Sequence, residues 1–222
     1  MSQESTPEEL AEIERQLSCP QGENGIKMAA MMNETNAGMI TTTIESLEIT
    51  ENNYVLEIGH GNCAHLSTIL EQAHGLSYIG VEISETMHEE ACRMHAALIE
   101  SSDIAFECYD GAIIPLADHS VDRILTVNTL YFWGDPVGFL EELYRVLKPN
   151  GILSIGYAQK QFMDQLPFVA DRFTLYDNHD VKTLVEQTDF EIIDILDHQE
   201  RVKSKADEWV DRDFSVVRLT KA

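Results

Sequence analysis

The sequence predicts an α/β fold: an open sheet of about seven strands with helices on both faces, the last strand antiparallel, and a helical cap at the N-terminus. Three observations predict it. A short apolar run at 54–58 breaks into two glycines and then into a helical pattern (Leu66, Ile69, Leu70), as a buried parallel strand, a tight turn and a helix start would. Further apolar runs at 76–81, 104–109, 121–127 and 152–157 are separated by helical stretches, the order expected of parallel strands joined by crossovers. After a helix over 180–187, the runs 190–197 and 213–219 follow with little between them but 203–211, which predicts an antiparallel pair at the sheet edge.

The first nineteen residues form a solvated helix with Leu10, Ile13 and Leu17 on one stripe, ended by Pro20. A second helical region, 26–48, is rich in methionine (Met28, Met31, Met32, Met39), a side chain that fills irregular gaps. Residues 1–50 are therefore expected as the cap and 51–222 as the main domain. At 222 residues the chain can bury a large core, and its 44% apolar and 24% charged content is ordinary. The charge is not: 39 acidic against 15 basic residues give −24, which disfavours a nucleic acid partner, since phosphate binding rests on Lys and Arg. Cys19, Cys63, Cys92 and Cys108 lack metal-ligand spacing, and no leader-like or long apolar segment is evident. The expectation is a cytoplasmic protein with reduced thiols, no metal site and no membrane span.

The turn Gly59-x-Gly61-x-x-Ala64, with Asn62 inside it, satisfies the dinucleotide spacing G-x-G-x-x-G/A, so an NAD-dependent oxidoreductase competes on spacing alone. Glu57 decides against it. A carboxylate in an apolar strand is costly to desolvate without donors or a cationic partner, and it would repel a pyrophosphate. It suits a cationic ligand without phosphate. The block Val55-Leu56-Glu57-Ile58-Gly59-His60-Gly61 resembles the first motif of class I S-adenosylmethionine (SAM)-dependent methyltransferases, with Cys63 where that family often carries a third glycine. The string at 140–153, Leu-x-Glu-Leu-Tyr-Arg-Val-Leu-Lys-Pro-Asn-Gly-Ile-Leu, resembles the small-molecule branch related to the ubiquinone and menaquinone biosynthesis enzymes. The resemblance covers about 55–156 and implies a Rossmann-like fold with SAM as cofactor.

Site residues follow in chain order. Glu57, Gly59, Gly61 and Asn62 would cradle the methionine part of SAM. Glu82, ending the second strand, lies at the distance beyond the turn where such folds grip a ribose. Ser84 caps the helix 85–100, and Ile83 and Met87 are expected near the adenine. The resemblance implies that Asp110, in Asp110-Gly111-Ala112 after the third strand, accepts from the adenine amino group. Beyond the fourth strand, where active sites of open sheets lie, Asn128, Tyr131, Phe132 and Trp133 form a polar-aromatic cluster. Asn128 and Tyr131 would border the acceptor, Asn128 also touching cofactor, and Trp133 would face substrate. The absence there of Pro-Pro-aromatic or Pro-Cys disfavours methylation of bases and amides. Asn33 and Asn36, one turn apart in the helical region that closes over the cofactor in similar enzymes, would face substrate, and residues 159–179 are expected as a substrate cap.

No base is evident among His60, His65, His119 and His179; His179 is preferred only for its place beside the cap. The catalytic candidates are therefore Asn128, Tyr131 and His179. Methyl transfer needs no strong base, because alignment alone lowers the barrier by several kcal/mol. The expected function is SAM-dependent methylation of a small molecule. The alternatives are a SAM-binding sensor or subunit without turnover, and the NAD-dependent oxidoreductase. The oligomeric state is not specified by the sequence.

Overall fold

The computed structural model describes residues 5–203 and 209–221. Residues 1–4 of the expected cap, 204–208 within the expected 203–211 connection, and 222 lie outside them. Three helices come first: α1 (Pro7–Ser18), α2 (Gly22–Thr35) and α3 (Ala37–Ser46). The alternating part runs β1 (Tyr54–Ile58), α4 (Leu66–Leu70), β2 (Ser77–Glu82), α5 (Glu85–Met94), α6 (Ala96–Ser101), β3 (Ile104–Cys108), β4 (Val121–Val127), α7 (Pro136–Val146) and β5 (Leu147–Ala158). It ends with α8 (Lys160–Met163), α9 (Asn178–Val185), β6 (Glu191–Lys203) and β7 (Trp209–Thr220).

One seven-stranded open sheet has the order β3-β2-β1-β4-β5-β7-β6. Strands β1 to β5 are parallel, and β7 is antiparallel to both β5 and β6. The order reverses between β1 and β4, where open α/β sheets place their ligands. Period-two alternation divides the core. Val55, Tyr78, Leu125 and Ile152 pack with Ile44, Leu47, Leu66 and Ala91, whereas Leu56, Ile79, Ile124 and Leu153 pack with Leu143, Val146 and Val181. Helices α3, α4 and α5 thus cover one face, and α7 and α9 the other.

Several expected elements differ in extent. The region 26–48 is two helices broken at Asn36 (φ −101°, ψ 2°), and the helix 85–100 breaks at His95, whose ring reaches the Cys63 carbonyl at 2.9 Å. Helix α3 does more than cap: Met39, Ile44 and Leu47 are fully buried and it packs on β4, β5 and β7. The fifth strand starts five residues early, at Leu147, because Asn150 adopts φ 63° and its N–H pairs with the Lys221 carbonyl. Within the expected cap at 159–179, only four residues, those of α8, are helical before α9 begins.

The final pair departs most. Against β5, β7 pairs only from Phe214 to Thr220, but β6 and β7 continue as a ladder out to Lys203 and Trp209. This hairpin overhangs the carboxyl end of the parallel strands. Helix α1 is not simply solvated either: Glu14 is buried and its Oε1 accepts from the Arg172 N–H at 2.7 Å, tying α1 to the segment after α8.

Candidate active site

The glycine turn is built by backbone conformation. Gly59 (φ 70°) and Gly61 (φ 56°) are left-handed, which glycine alone adopts without a steric penalty. A side chain at Gly59 would meet Thr129 Cγ2 at 2.5 Å, while at Gly61 it would project into open space. Cys63 also sits at φ 52°, so the residue standing where related sequences carry glycine keeps the glycine-like backbone. Its thiol is fully buried, 3.1 Å from the Tyr78 hydroxyl, and burial pushes it well above its ordinary range. That environment disfavours the thiolate.

Glu57 points to the same face as Tyr78 and is 3% exposed. Its Oε1 accepts from His65 Nε2 at 2.7 Å, its Oε2 from the Tyr78 hydroxyl at 2.6 Å, with the Cys63 thiol at 3.9 Å. Burial pushes the carboxyl up, but the His65 charge and these hydrogen bonds outweigh it, and Glu57 titrates below the usual carboxylate range. Burial likewise pushes His65 down and is outweighed by Glu57, so His65 is raised. This corrects the expectation that Glu57 awaits a cationic ligand: its cationic partner is His65 of the same chain, and both carboxylate oxygens are already engaged. Glu57, Cys63 and His65 bring their ligand atoms within 4.8 Å of one another, yet the bonds among them and Tyr78 already account for the arrangement.

His60 is different. It is 3% exposed, neither ring nitrogen has a hydrogen-bond partner among the described residues, and burial pushes its pKa down to about 4. The ring lies 4.9 Å from that of Phe106, over Gly80, where any side chain would strike His60 Cδ2 at 2.7 Å. Glu82, also buried, accepts from the N–H groups of Gly61 (2.9 Å), Ile83 (2.8 Å) and Ser84 (3.1 Å), which clasps the end of β2 to the turn. Burial raises its pKa despite those donors.

Two cavities open at the carboxyl end of the sheet. The polar one, about 1070 Å³ with its open mouth, is lined by residues 57–62, His65, Glu82, Ile83, Tyr109, Gly111, Thr129 and Trp133, and is roofed by Asn33. Beside it lies an apolar chamber of about 870 Å³, likewise open, walled by Met31, Tyr131, Phe162, Met163, Leu166, Phe168, Phe173 and the hairpin residues Val202, Val210 and Arg212. Leu17, Met32, Asn36, Asn128 and Phe132 line both and form the partition.

The expected residues distribute unevenly over this site. Glu57, Gly59, Gly61, Asn62, Glu82, Ile83, Gly111 and Asn128 line the polar cavity, as does Asn33, while Asn36 is in the partition. Trp133, expected toward substrate, lines the polar cavity instead, its Nε1 donating to Thr129 Oγ1 at 3.2 Å. Met87 is fully buried under α5 and lines neither cavity. Asp110 and Ala112 also lie off both linings: Asp110 Oδ1 accepts from the N–H groups of Ala112 and Ile113, holding its own turn. His179 corrects the expectation of a base. It is exposed on the first turn of α9 and lines neither cavity, because Asp177 caps that helix through the His179 N–H and turns it toward solvent. Tyr131 lines the chamber, but its hydroxyl accepts from the Ala158 N–H (2.6 Å) and donates to Asn128 Oδ1 (3.0 Å) or the Ala158 carbonyl (3.2 Å). Burial raises its pKa. It braces the β4 and β5 ends against each other.

Arg212 went unread in the sequence. It is 7% exposed, donates from Nε and Nη2 to Glu200 Oε1 (3.1 and 2.6 Å), from Nη2 to the Thr35 carbonyl (2.7 Å) and from Nη1 to Asn36 Oδ1 (2.9 Å). The signal was present: Arg212 is in phase with the inward Phe214 and Val216, two residues beyond where the apolar alternation fades.

Parallel strands with this order, an antiparallel β7, a glycine turn after β1 and an acidic residue ending β2 give the chain the fold of class I SAM-dependent methyltransferases, whose cofactor is S-adenosylmethionine. Residues 56–155 match the family described as "Methyltransferase domain". The chain is 29% identical over 117 residues to YdaC, an uncharacterized methyltransferase of Bacillus subtilis (strain 168), covering 51% of this chain and 60% of that one. To the O-methyltransferase resE of Aspergillus sclerotiorum it is 20% identical over 157 residues, covering 68% and 59%. It thus spans about three fifths of the length of these relatives. A SAM dependent methyltransferase from Aquifex aeolicus shares the fold with a TM-score of 0.63 at 18% identity, covering 95% of this chain and 98% of that one. No helix among the described residues is long and apolar enough to cross a membrane.

The polar cavity fits that cofactor. The orphaned ring nitrogens of His60, buried in its wall, lack a partner that a ligand would supply, and the open space at Gly61 leaves the turn free for close approach.

Proposed function

We propose that this chain transfers the methyl group of SAM to a small, largely apolar acceptor. The observation that carries the reading is the shared partition: a polar cavity over the glycine turn and an apolar chamber meet at Asn36, Asn128 and Phe132. In this reading Glu82 holds the ribose hydroxyls, the Gly59–Asn62 backbone and Glu57 flank the methionine part, and Gly111 and Ile83 lie along the adenine. Bound SAM supplies an already activated methyl. Asn128, held at φ 59° with its N–H on the Gly156 carbonyl, fixes the partition where the two ligands meet. Helices α1 and α2, with the segment 159–179, cover the site; the rings of Phe132 and Phe173, 4.7 Å apart, form part of the chamber's apolar wall. An acceptor in place beside the donor needs little beyond alignment.

The resemblance to an O-methyltransferase supports a small-molecule acceptor, and the unpaired state of Cys19, Cys63, Cys92 and Cys108 supports a cytoplasmic setting. The test is calorimetry with SAM, S-adenosylhomocysteine and NAD, followed by transfer of labelled methyl to an acceptor panel. Binding of the first two but not NAD is expected, and Val210→Trp, which fills the chamber, is expected to leave that binding intact while stopping transfer. Tight NAD binding without SAM binding would overturn the reading.

A further inference from the structure

Resting on that reading, we infer that Asn36 determines acceptor specificity: its side-chain amino group, fixed in direction by Arg212, donates to a carbonyl-type oxygen that the acceptor carries close to the atom to be methylated.

An asparagine between two helices is ordinarily explained by capping, and here it is not. Asn36 ends α2 and is the N-cap of α3, yet its side chain makes no cap bond. Its backbone is satisfied separately, the N–H by the Met32 carbonyl (2.8 Å) and the carbonyl by the Ile40 N–H (2.9 Å). The side-chain Oδ1 accepts instead from Arg212 Nη1 at 2.9 Å. Arg212 is itself held in place, because its Nε and Nη2 donate to Glu200 and its Nη2 also to the Thr35 carbonyl. A guanidinium has donors only, so the Asn36 amide cannot flip without setting one amino group against another. Nδ2 is thereby left at the other end of the amide, with two N–H donors and no capacity to accept.

That amino group has no partner among the described residues. Asn36 is half-buried, its Nδ2 keeps accessible surface, and the residue lines both cavities, so the donors belong to the partition where the two ligands meet. Leu17, Met32 and Phe132, its neighbours there, are apolar. Asn128, the other polar side chain of the partition, has its Oδ1 3.0 Å from the Tyr131 hydroxyl, and its Nδ2 likewise has no partner among the described residues. A site built around a donor rejects an analogue without the matching oxygen, because binding it strands the donor. A protonated amine is disfavoured as well, since it meets the amino group donor to donor.

The experiment titrates 2-acetylnaphthalene and 2-isopropenylnaphthalene, which differ in a carbonyl oxygen against a methylene, into the full chain saturated with S-adenosylhomocysteine. The ketone is expected to bind roughly fivefold more tightly or better. Asn36→Asp keeps an oxygen for Arg212 and replaces the amino group with a second oxygen; it is expected to remove the preference, with S-adenosylhomocysteine binding reporting that the variant is folded. A residue that only held the two helices together would leave the ketone-to-hydrocarbon ratio unmoved in this variant. Arg212→Leu, which frees the amide to rotate, is expected to reduce the preference, and Arg212→Lys, which keeps a donor, to restore part of it. Should Asn36→Asp not fold, the unsubstituted chain decides: the Asn36 side-chain N–H resonances are expected to shift with the ketone and not with the hydrocarbon. Equal or tighter binding of the hydrocarbon, binding of neither probe, a preference unchanged in Asn36→Asp, or resonances that ignore the ketone would overturn the inference. Failure of S-adenosylhomocysteine to bind the unsubstituted chain would instead overturn the reading beneath it, so the two failures are distinguishable.

Discussion

Asn33 Nδ2 donates to Asn62 Oδ1 at 3.0 Å, joining the roof helix α2 directly to the glycine turn. Asn62 Oδ1 also accepts from the Ala64 N–H at 3.3 Å, so the same oxygen shapes the turn and anchors the roof. The polar cavity is thereby roofed by a side chain bonded to the turn itself.

Removing that tie is predicted to loosen the roof without unfolding the domain. A part-buried neutral hydrogen bond contributes about 1 kcal/mol, so Asn33→Ala is expected to weaken S-adenosylhomocysteine binding roughly fivefold. Calorimetry checks the affinity, and faster amide exchange in Gly22–Thr35 checks the loosening. Unchanged exchange would sink the assignment.

Glu82 gathers three backbone N–H groups and is expected to take the ribose as well. Glu82→Ala is expected to lower cofactor affinity tenfold or more and to lower the melting temperature, because it strands those donors at about 1–3 kcal/mol each. Glu82→Gln, which can still accept, is expected to recover most of the melting temperature but less of the affinity. Equal recovery of both would place Glu82 in the scaffold alone.

The Glu57–His65 pair predicts a coupled loss. His65→Ala leaves a buried carboxylate without its cation, a loss of about 3–5 kcal/mol, and Glu57→Gln in the same chain is expected to restore part of it. A double-mutant cycle by denaturant unfolding measures the coupling. The pH signs are opposite for the two partners. Stability from the lowered Glu57 is present above its unfolded pKa and is lost as pH falls through the folded value. Stability from the raised His65 is fully present below 6.5 and is lost as pH rises through its folded value.

His60 governs a separate window. Its pKa falls from 6.5 to about 4 on folding, so between these values the unfolded chain binds the extra proton and stability declines as pH is lowered. The full effect is on the order of 3 kcal/mol. His60→Gln is expected to flatten the stability curve between about pH 6.5 and 4, read from urea midpoints at each pH. A bound cofactor that supplies a partner to either ring nitrogen is expected to change the slope in that window.

Tyr131→Phe separates a brace from a base. The variant is expected to lose about 1–3 kcal/mol of stability, because the Ala158 N–H is left without its acceptor, while any pH limb of kcat stays where it was. A displaced limb would make the hydroxyl a participant in the reaction.

The strand order and the glycine turn were legible because a buried parallel strand is a continuous apolar run and a left-handed turn needs glycine, both properties of adjacent residues. Glu57 was legible as an anomaly for the same reason, but its partner was not: pairing with His65 depends on how tightly the turn folds back, which no local pattern encodes. Asp110 illustrates the converse. An aspartate before glycine equally satisfies a turn and a ligand contact, and here its Oδ1 serves the turn. His179 was preferred for its neighbours in sequence, whereas the capping Asp177 decides where α9 starts and hence which way that ring faces. Arg212 escaped because charged neighbours on both sides, Asp211 and Asp213, hide an inward-facing strand position.

Among the described residues, the overhanging end of the β6–β7 hairpin gives Val202, Val210 and Arg212 to the chamber and nothing to the cavity over the glycine turn. In the proposed reading, recognition of the two ligands is therefore modular. Grafting a hairpin of different length or sequence onto this scaffold is expected to redirect which molecules are modified while the grip on the nucleoside stays as it is, a division of labour that lets one end of the chain diversify without retuning the other.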